Sequence, residues 1–287
     1  MRLPNFIVGG ALKAGTTSLN SYLKQHPEVY MSPMKEPRYF AYDPAGSHNG
    51  NGEDQGLHFP VTTLEEYGAL FAGVTNETAV GEVSPHYIIS TSAPQRIKAI
   101  VPDVRLVFSL RHPIKRAYSV YWQAVRLGNE DRPVEEALTD AEHRVRNGRY
   151  YALLRNWYEV FDAAQIKIIL FDDLARDALG TFHDVCRFLA VNDTFVPDLT
   201  IRNKGGALKN QRLGRFYEQL KNSSLKQTID PLIPQRLRDK MNDVRNQNFE
   251  EPPPIPPAVT ARLQAYYRDD IEQLETFLGR DLSAWKN

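Results

Sequence analysis

One stretch near the amino terminus constrains the fold more than any other. Gly10-Ala-Leu-Lys-Ala-Gly15-Thr-Thr17 lies between the apolar run Phe6-Ile-Val8 and a segment of helical pattern. The apolar run, closed by Gly9-Gly10, reads as a buried strand. Residues 16–26 have helical spacing, with Leu19, Tyr22 and Leu23 on one side, and Pro27 ends the pattern. A glycine, four residues, a second glycine and two positions usually held by Lys and Ser or Thr is the spacing of a phosphate-binding P-loop. Glycines let backbone N–H groups close around phosphate oxygens, and the start of the helix adds partial positive charge. Thr16 and Thr17 can add hydroxyl donors. The lysine, however, stands inside the loop at Lys13, and Thr16 holds the usual lysine position. As a bare motif the same residues could also form a glycine turn with no ligand.

Strand and helix patterns alternate along the rest of the first 200 residues. Ala79–Val83, Arg105–Leu110 and Ile166-Lys-Ile-Ile-Leu-Phe171 read as strands. Ala93–Ile100, a helix opened by Pro113, residues 150–161 and residues 178–190 read as helices, and 135–149 is charged and helix-prone. This alternation predicts an α/β chain of P-loop type, with three α/β/α layers and a mainly parallel central sheet. Beyond residue 200 the pattern is helical and polar, interrupted by Pro252-Pro-Pro254 and Pro256-Pro257, and a last helix is expected over 258–278. The prolines suit a stiff crossing segment. At 287 residues with no evident linker, the expectation is one domain spanning 1–287.

Lys plus Arg and Asp plus Glu both number 35, so bulk charge gives no case for a nucleic-acid partner. No apolar stretch approaches the ~20 residues of a membrane span, and no secretory signal is seen, so a cytoplasmic setting is expected. The single cysteine, Cys186, excludes an internal disulfide and reads as a core thiol beside Phe182, Phe188 and Leu189. Residues 42–59 form a long polar stretch without periodicity, expected to be a functional surface loop.

A second cationic feature follows the strand Arg105–Leu110. Arg111 stands where a magnesium-binding Asp would be expected in an ATPase, and a positive strand end suits a second anionic group. Lys13-Ala-Gly-Thr-Thr-Ser-Leu19 resembles the 5′-phosphosulfate loop of sulfotransferases that use 3′-phosphoadenosine-5′-phosphosulfate (PAPS), especially the heparan-sulfate-type group and its bacterial relatives. Arg111-His-Pro113 with Ser119 eight residues after the Arg resembles the 3′-phosphate motif of that family. The resemblance implies that Lys13, Ala14, Gly15, Thr16, Thr17 and Ser18 hold the phosphosulfate. It gives Lys13 the stabilisation of the leaving phosphate, and it assigns the 3′-phosphate to Arg111 and Ser119. Lys115 and Arg116 read as helix-surface charges.

Gly81-Glu82-Val83-Ser84-Pro85-His86-Tyr87 is similar to the family stretch in which a Glu is the proposed base, which would make Glu82 the acceptor of the hydroxyl proton. Val83 replaces the Lys common there. His86 is the alternative base and His112 a poorer one. Arg202-Asn-Lys204-Gly205-Gly206 loosely resembles a late loop that closes over PAPS, implying a phosphate or sulfuryl contact from Lys204 and close backbone approach at Gly205 and Gly206. The implied product is 3′-phosphoadenosine-5′-phosphate (PAP), with no metal required. The acceptor stays open among small-molecule, saccharide, lipid and carrier-bound hydroxyls, with an amine as a further case. Residues 42–59 and 209–257, where the resemblance is weakest, are expected to set that choice. Two other readings remain: a magnesium-dependent P-loop kinase using Asp172-Asp173, or a noncatalytic nucleotide- or glycan-binding protein of the same fold.

Overall fold

The computed structural model describes residues 1–42, 58–200, 207–208, 249–250 and 252–286. Its centre is a sheet of five parallel strands: β1 (Phe6–Gly10), β2 (Val29–Met31), β3 (Ala79–Val83), β4 (Arg105–Leu110) and β5 (Ile166–Leu170). They lie in the order β2-β3-β1-β4-β5. Phe6 is in register with Gly81 on one side and Arg105 on the other, and Leu106 through Leu110 pair with Ile166 through Leu170. Ala207–Leu208 and Phe249–Glu250 form a separate antiparallel pair.

The described helices are α1 (Thr16–Leu23), α2 (Leu64–Ala69), α3 (Ala93–Ile100), α4 (Pro113–Leu127), α5 (Val134–Ala137), α6 (His143–Arg146), α7 (Tyr150–Tyr158), α8 (Phe171–Arg176), α9 (Ala178–Leu189) and α10 (Pro257–Leu278). Successive strand residues point to opposite faces, so apolar runs such as Leu106-Val-Phe108 need cover on both sides. Phe6, Val8 and Val107 pack with Leu19 and Leu23 of α1 and with Phe182, Val185 and Cys186 of α9. On the other face Ile7, Leu106, Phe108 and Leu110 pack with Ile97 of α3, Ile114 of α4, Trp157 of α7 and Leu263 of α10. The result is three layers around a sheet that is parallel throughout.

Four of the five sheet strands follow the sequence pattern closely, β2 is not among those expected, and three further local expectations change. The charged region 135–149 contains only the two short turns α5 and α6, and just ahead of it Glu130 pairs with both Arg132 and Arg144, each at 2.8 Å. Arg116 is not a surface charge: it is 2% exposed and donates to the Arg144 carbonyl at 2.5 Å. Phe171 starts α8 rather than ending β5. Cys186 is buried, and burial raises its thiol to about 12, which keeps it a core residue. Among the described residues no helix is long and apolar enough to cross a membrane.

Strand order fixes where a ligand can sit. β1 lies between β3 and β4, and the chain leaves β1 through α1 on one face but leaves β4 through α4 on the other. Divergence of two such connections opens a crevice at the carboxyl ends of the strands.

Candidate active site

A cavity of about 700 Å³ occupies that crevice, within the range of nucleotide-sized pockets. Lys13, Gly15, Thr16, Thr17 and Ser18 line it from β1 and α1, Lys35 and Glu36 from the segment after β2, and Pro85 from the segment after β3. Arg111, Lys115, Tyr118, Ser119, Trp122 and Arg126 line it from β4 and α4, and Phe171 from α8. Five cationic side chains and a single carboxylate face this space among the described residues. The balance favours a polyanionic ligand.

The loop after β1 is stitched to β4. Ala11 N–H donates to the Ser109 carbonyl at 2.7 Å, and Ser109 Oγ donates to the Ala14 carbonyl at 2.5 Å. Gly15 sits at φ +85, and a Cβ there would meet Leu174 Cδ2 at 2.8 Å, so both conformation and space demand glycine. Helix α1 begins with no side-chain cap and no acidic residue in its first turn. Its first N–H groups therefore face the cavity edge as anion donors. Ala14 is buried beneath them. Lys13 has φ +65, a left-handed backbone uncommon for a side-chain-bearing residue. Burial, followed by the nearby Arg126, Arg111 and Lys35, lowers its ammonium to about 8.

The second cationic station is physically joined to the first. Arg111 Nη1 donates to the Lys13 carbonyl at 3.1 Å, and its guanidinium lies over the Phe171 ring, 4.8 Å from the centroid. Tyr150 Oη donates to the Arg111 carbonyl at 2.9 Å and accepts from Arg111 N–H at 3.4 Å. Ser119 lies two turns along α4 on the cavity side. The sequence-derived pairing of Lys13 through Ser18 with Arg111 and Ser119 is thus assembled in one space. Lys204, Gly205 and Gly206 lie outside the described residues, as does most of 42–59 and of 209–257.

Glu82 is positioned differently from its sequence expectation. It is 0% exposed and does not line the cavity. Tyr67 Oη donates to Glu82 Oε1 at 3.3 Å and Ser84 Oγ to Oε2 at 2.8 Å. Burial pushes its carboxyl up to about 7. Ser84 Oγ in turn accepts Arg38 N–H at 3.1 Å, and Glu36 N–H donates to the Val83 carbonyl at 2.9 Å. Glu82 therefore braces the turn that presents Glu36.

Glu36 is the carboxylate on the cavity wall, 22% exposed and held by Lys35 at 3.1 Å and Arg38 at 2.5 Å. Burial opposes its charge, but Lys35 and Arg38 together keep its pKa below the ordinary carboxylate value. Like Lys13, Glu36 and Arg38 have left-handed backbones, at φ +62 and +57. His86 lies behind Glu36, with Nδ1 3.8 Å from Oε2, and burial lowers it to about 4. His112 is buried, caps α4 by accepting Ile114 N–H at 3.3 Å, and is likewise lowered to about 4. Lys35, Glu36, Lys115, Trp122 and Arg126 were not assigned to the site from sequence. For Lys35 and Glu36 a signal existed: a charged pair a few residues past a parallel strand belongs at the sheet's ligand edge.

The acids offered to a kinase are committed elsewhere. Asp172 accepts the Trp285 indole N–H at 2.9 Å, and Asp173 pairs with Arg176 at 2.6 Å and Arg280 at 2.5 Å. They fasten α8 to the carboxyl-terminal segment. No group of three or more His, Cys, Asp or Glu is placed to hold a metal ion among the described residues.

Comparison with known proteins places this geometry. The family model for the sulfotransferase family matches residues 4–194. A membrane-associated sulfotransferase of Dictyostelium discoideum is 33% identical over 143 residues, 49% of this chain and 28% of that protein. The bifunctional heparan sulfate N-deacetylase/N-sulfotransferase 4 of Mus musculus is 25% identical across 99% of this chain and 31% of its own length. Heparan sulfate glucosamine 3-O-sulfotransferase 6 of Mus musculus is 27% identical over 66% of this chain and 53% of that protein. The chain thus spans less than a third of the length of the first two relatives. Among solved structures, a sulfotransferase from Alicyclobacillus acidocaldarius matches with a TM-score of 0.74 and 29% identity over 100% of both chains. With the family model covering the strands, the phosphate loop and the arginine–serine pair, the chain belongs to the sulfotransferase family.

Proposed function

We propose that this chain transfers a sulfuryl group from PAPS to a hydroxyl acceptor, with Glu36 as the base. The observation that carries this reading is the pair of cationic stations lining one cavity. Lys13 and the start of α1 form the first, and Arg111 with Ser119 the second. Two cationic groups supplied by different strands to one cavity suit a nucleotide that carries a 3′-phosphate as well as a 5′-phosphosulfate. ATP has no 3′-phosphate for Arg111 and Ser119 to bind.

In the reaction the acceptor oxygen bonds to sulfur while the bond from sulfur to the oxygen bridging the 5′-phosphate breaks. The electron pair leaves on that oxygen, where Lys13 and the α1 N–H groups neutralise it. The acceptor proton passes to Glu36, the carboxylate that an acceptor in the cavity can reach. The names of the heparan sulfate relatives support a saccharide acceptor, a nitrogen in one and a hydroxyl in the other, and the hydroxyl is the case proposed here.

Calorimetric titration with PAP, paired with radiolabelled-sulfur transfer from PAPS to saccharide, lipid and carrier-bound fractions, tests the proposal. PAP is expected to bind and Lys13→Met to abolish that binding. Because Lys13 must be protonated to hold a phosphate, affinity should weaken as pH rises through about 8. ATP-dependent phosphoryl transfer with no response to PAP would overturn the proposal.

A further inference from the structure

Lys35 is a cavity cation that the transfer described above does not use. Its ammonium donates to Thr17 Oγ1 at 3.0 Å and to Glu36 Oε1 at 3.1 Å. One amine from the segment after β2 therefore links the first turn of α1 to the cavity carboxylate. It lies close enough to Lys13 to help lower that lysine's proton affinity. Two ammonium groups so placed are best accommodated by an anion between them. At 30% exposure, Lys35 still has open space in front of it.

Resting on the donor reading above, we propose that Lys35 binds an oxygen of the donor's sulfuryl group, and that this contact draws its charge away from Glu36. In the free protein Lys35 neutralises the base. With donor bound, the same ammonium steadies the group in transfer, and Glu36 is released to accept the acceptor's proton. Lys35 would thereby make the base competent only when there is a sulfuryl group to move. Other groups facing Glu36 do not compete for this role. Arg38 holds its second oxygen, His86 is neutral behind it, and Glu82 lies deeper in the core.

PAP separates this role from phosphate binding, because it carries both phosphates and no sulfuryl group. Lys35→Met is expected to bind PAP within about threefold of the wild type, which also reports correct folding, while single-turnover transfer from PAPS falls by about 100-fold. The acidic limb of its kcat/KM profile for PAPS, which reports the free protein, should move upward, since the cation that holds the free base ionised is gone. Lys35→Arg should restore part of the rate. Loss of PAP affinity matching that of Lys13→Met would make Lys35 a phosphate ligand and overturn the inference, as would unchanged transfer. If the wild type fails to bind PAP, the donor reading falls and this inference with it. If it binds PAP but Lys35→Met transfers normally, only the inference falls.

Discussion

A carboxylate accepts a proton from an acceptor only where the acceptor reaches it, and Glu36 and Glu82 differ in this respect. Glu36→Gln is expected to lower the transfer rate by about 10²–10⁴-fold with PAP binding retained. Glu82→Gln should cost less activity and change stability instead. Folded Glu82 keeps its proton up to about 7, whereas the unfolded carboxyl releases it near 4.5. The folded state therefore binds more protons across that interval, so stability falls as pH rises through it. The variant's melting temperature should depend less on pH between 4.5 and 7. An unchanged slope would refute the assignment of that carboxyl. The reason the place of Glu36 was not legible is local. Glu82 follows a readable strand, while β2 has only the three residues Val29-Tyr-Met31, too few to show a period. Without that strand in view, the charged pair Lys35-Glu36 carries no sign that it lies at a sheet edge.

At the scale of elements, the Arg111–Ser119 station depends on helices that do not line the cavity. Tyr150, the first residue of α7, holds the Arg111 backbone through its hydroxyl. Helix α7 lacks a cap of its own, and Asp270 of α10 supplies one, accepting Tyr151 N–H at 3.1 Å and Ala152 N–H at 3.2 Å. Tyr150→Phe removes both hydroxyl contacts to the Arg111 backbone, the 3.4 Å one weak, for a loss of about 1 kcal/mol. It should raise the PAPS KM by about fivefold with little change in kcat; an equal fall in kcat would contradict a purely positioning role. Asp270→Ala leaves two helix-start donors unpaired and is expected to destabilise by about 1–3 kcal/mol, read as a lower melting temperature. Most elements were legible because strands such as Arg105–Leu110 are apolar on both faces. The region 135–149 was not, because its residue types suit a helix while its ion pairs reach across the chain. Glu142 of that region meets Arg132 at 2.8 Å.

For the molecule as a whole, all five parallel strands lead toward one rim, and side chains beyond each of them line the cavity there. The cations on that wall are Lys13, Lys35, Arg111, Lys115 and Arg126, with Glu36 the only acid there among the described residues. Transfer is expected to persist in EDTA; activity lost on chelation and recovered with magnesium would contradict this. The left-handed backbones at Lys13, Glu36 and Arg38 set a limit on how such a protein can be improved. Each holds a side-chain-bearing residue where glycine would rest more easily, at a cost on the order of 1 kcal/mol. Laboratory selection for heat tolerance alone would therefore drift toward glycine at these sites, removing the Lys13 and Glu36 side chains from the cavity wall. Heat tolerance and turnover must be selected together, because here they pull on the same three codons.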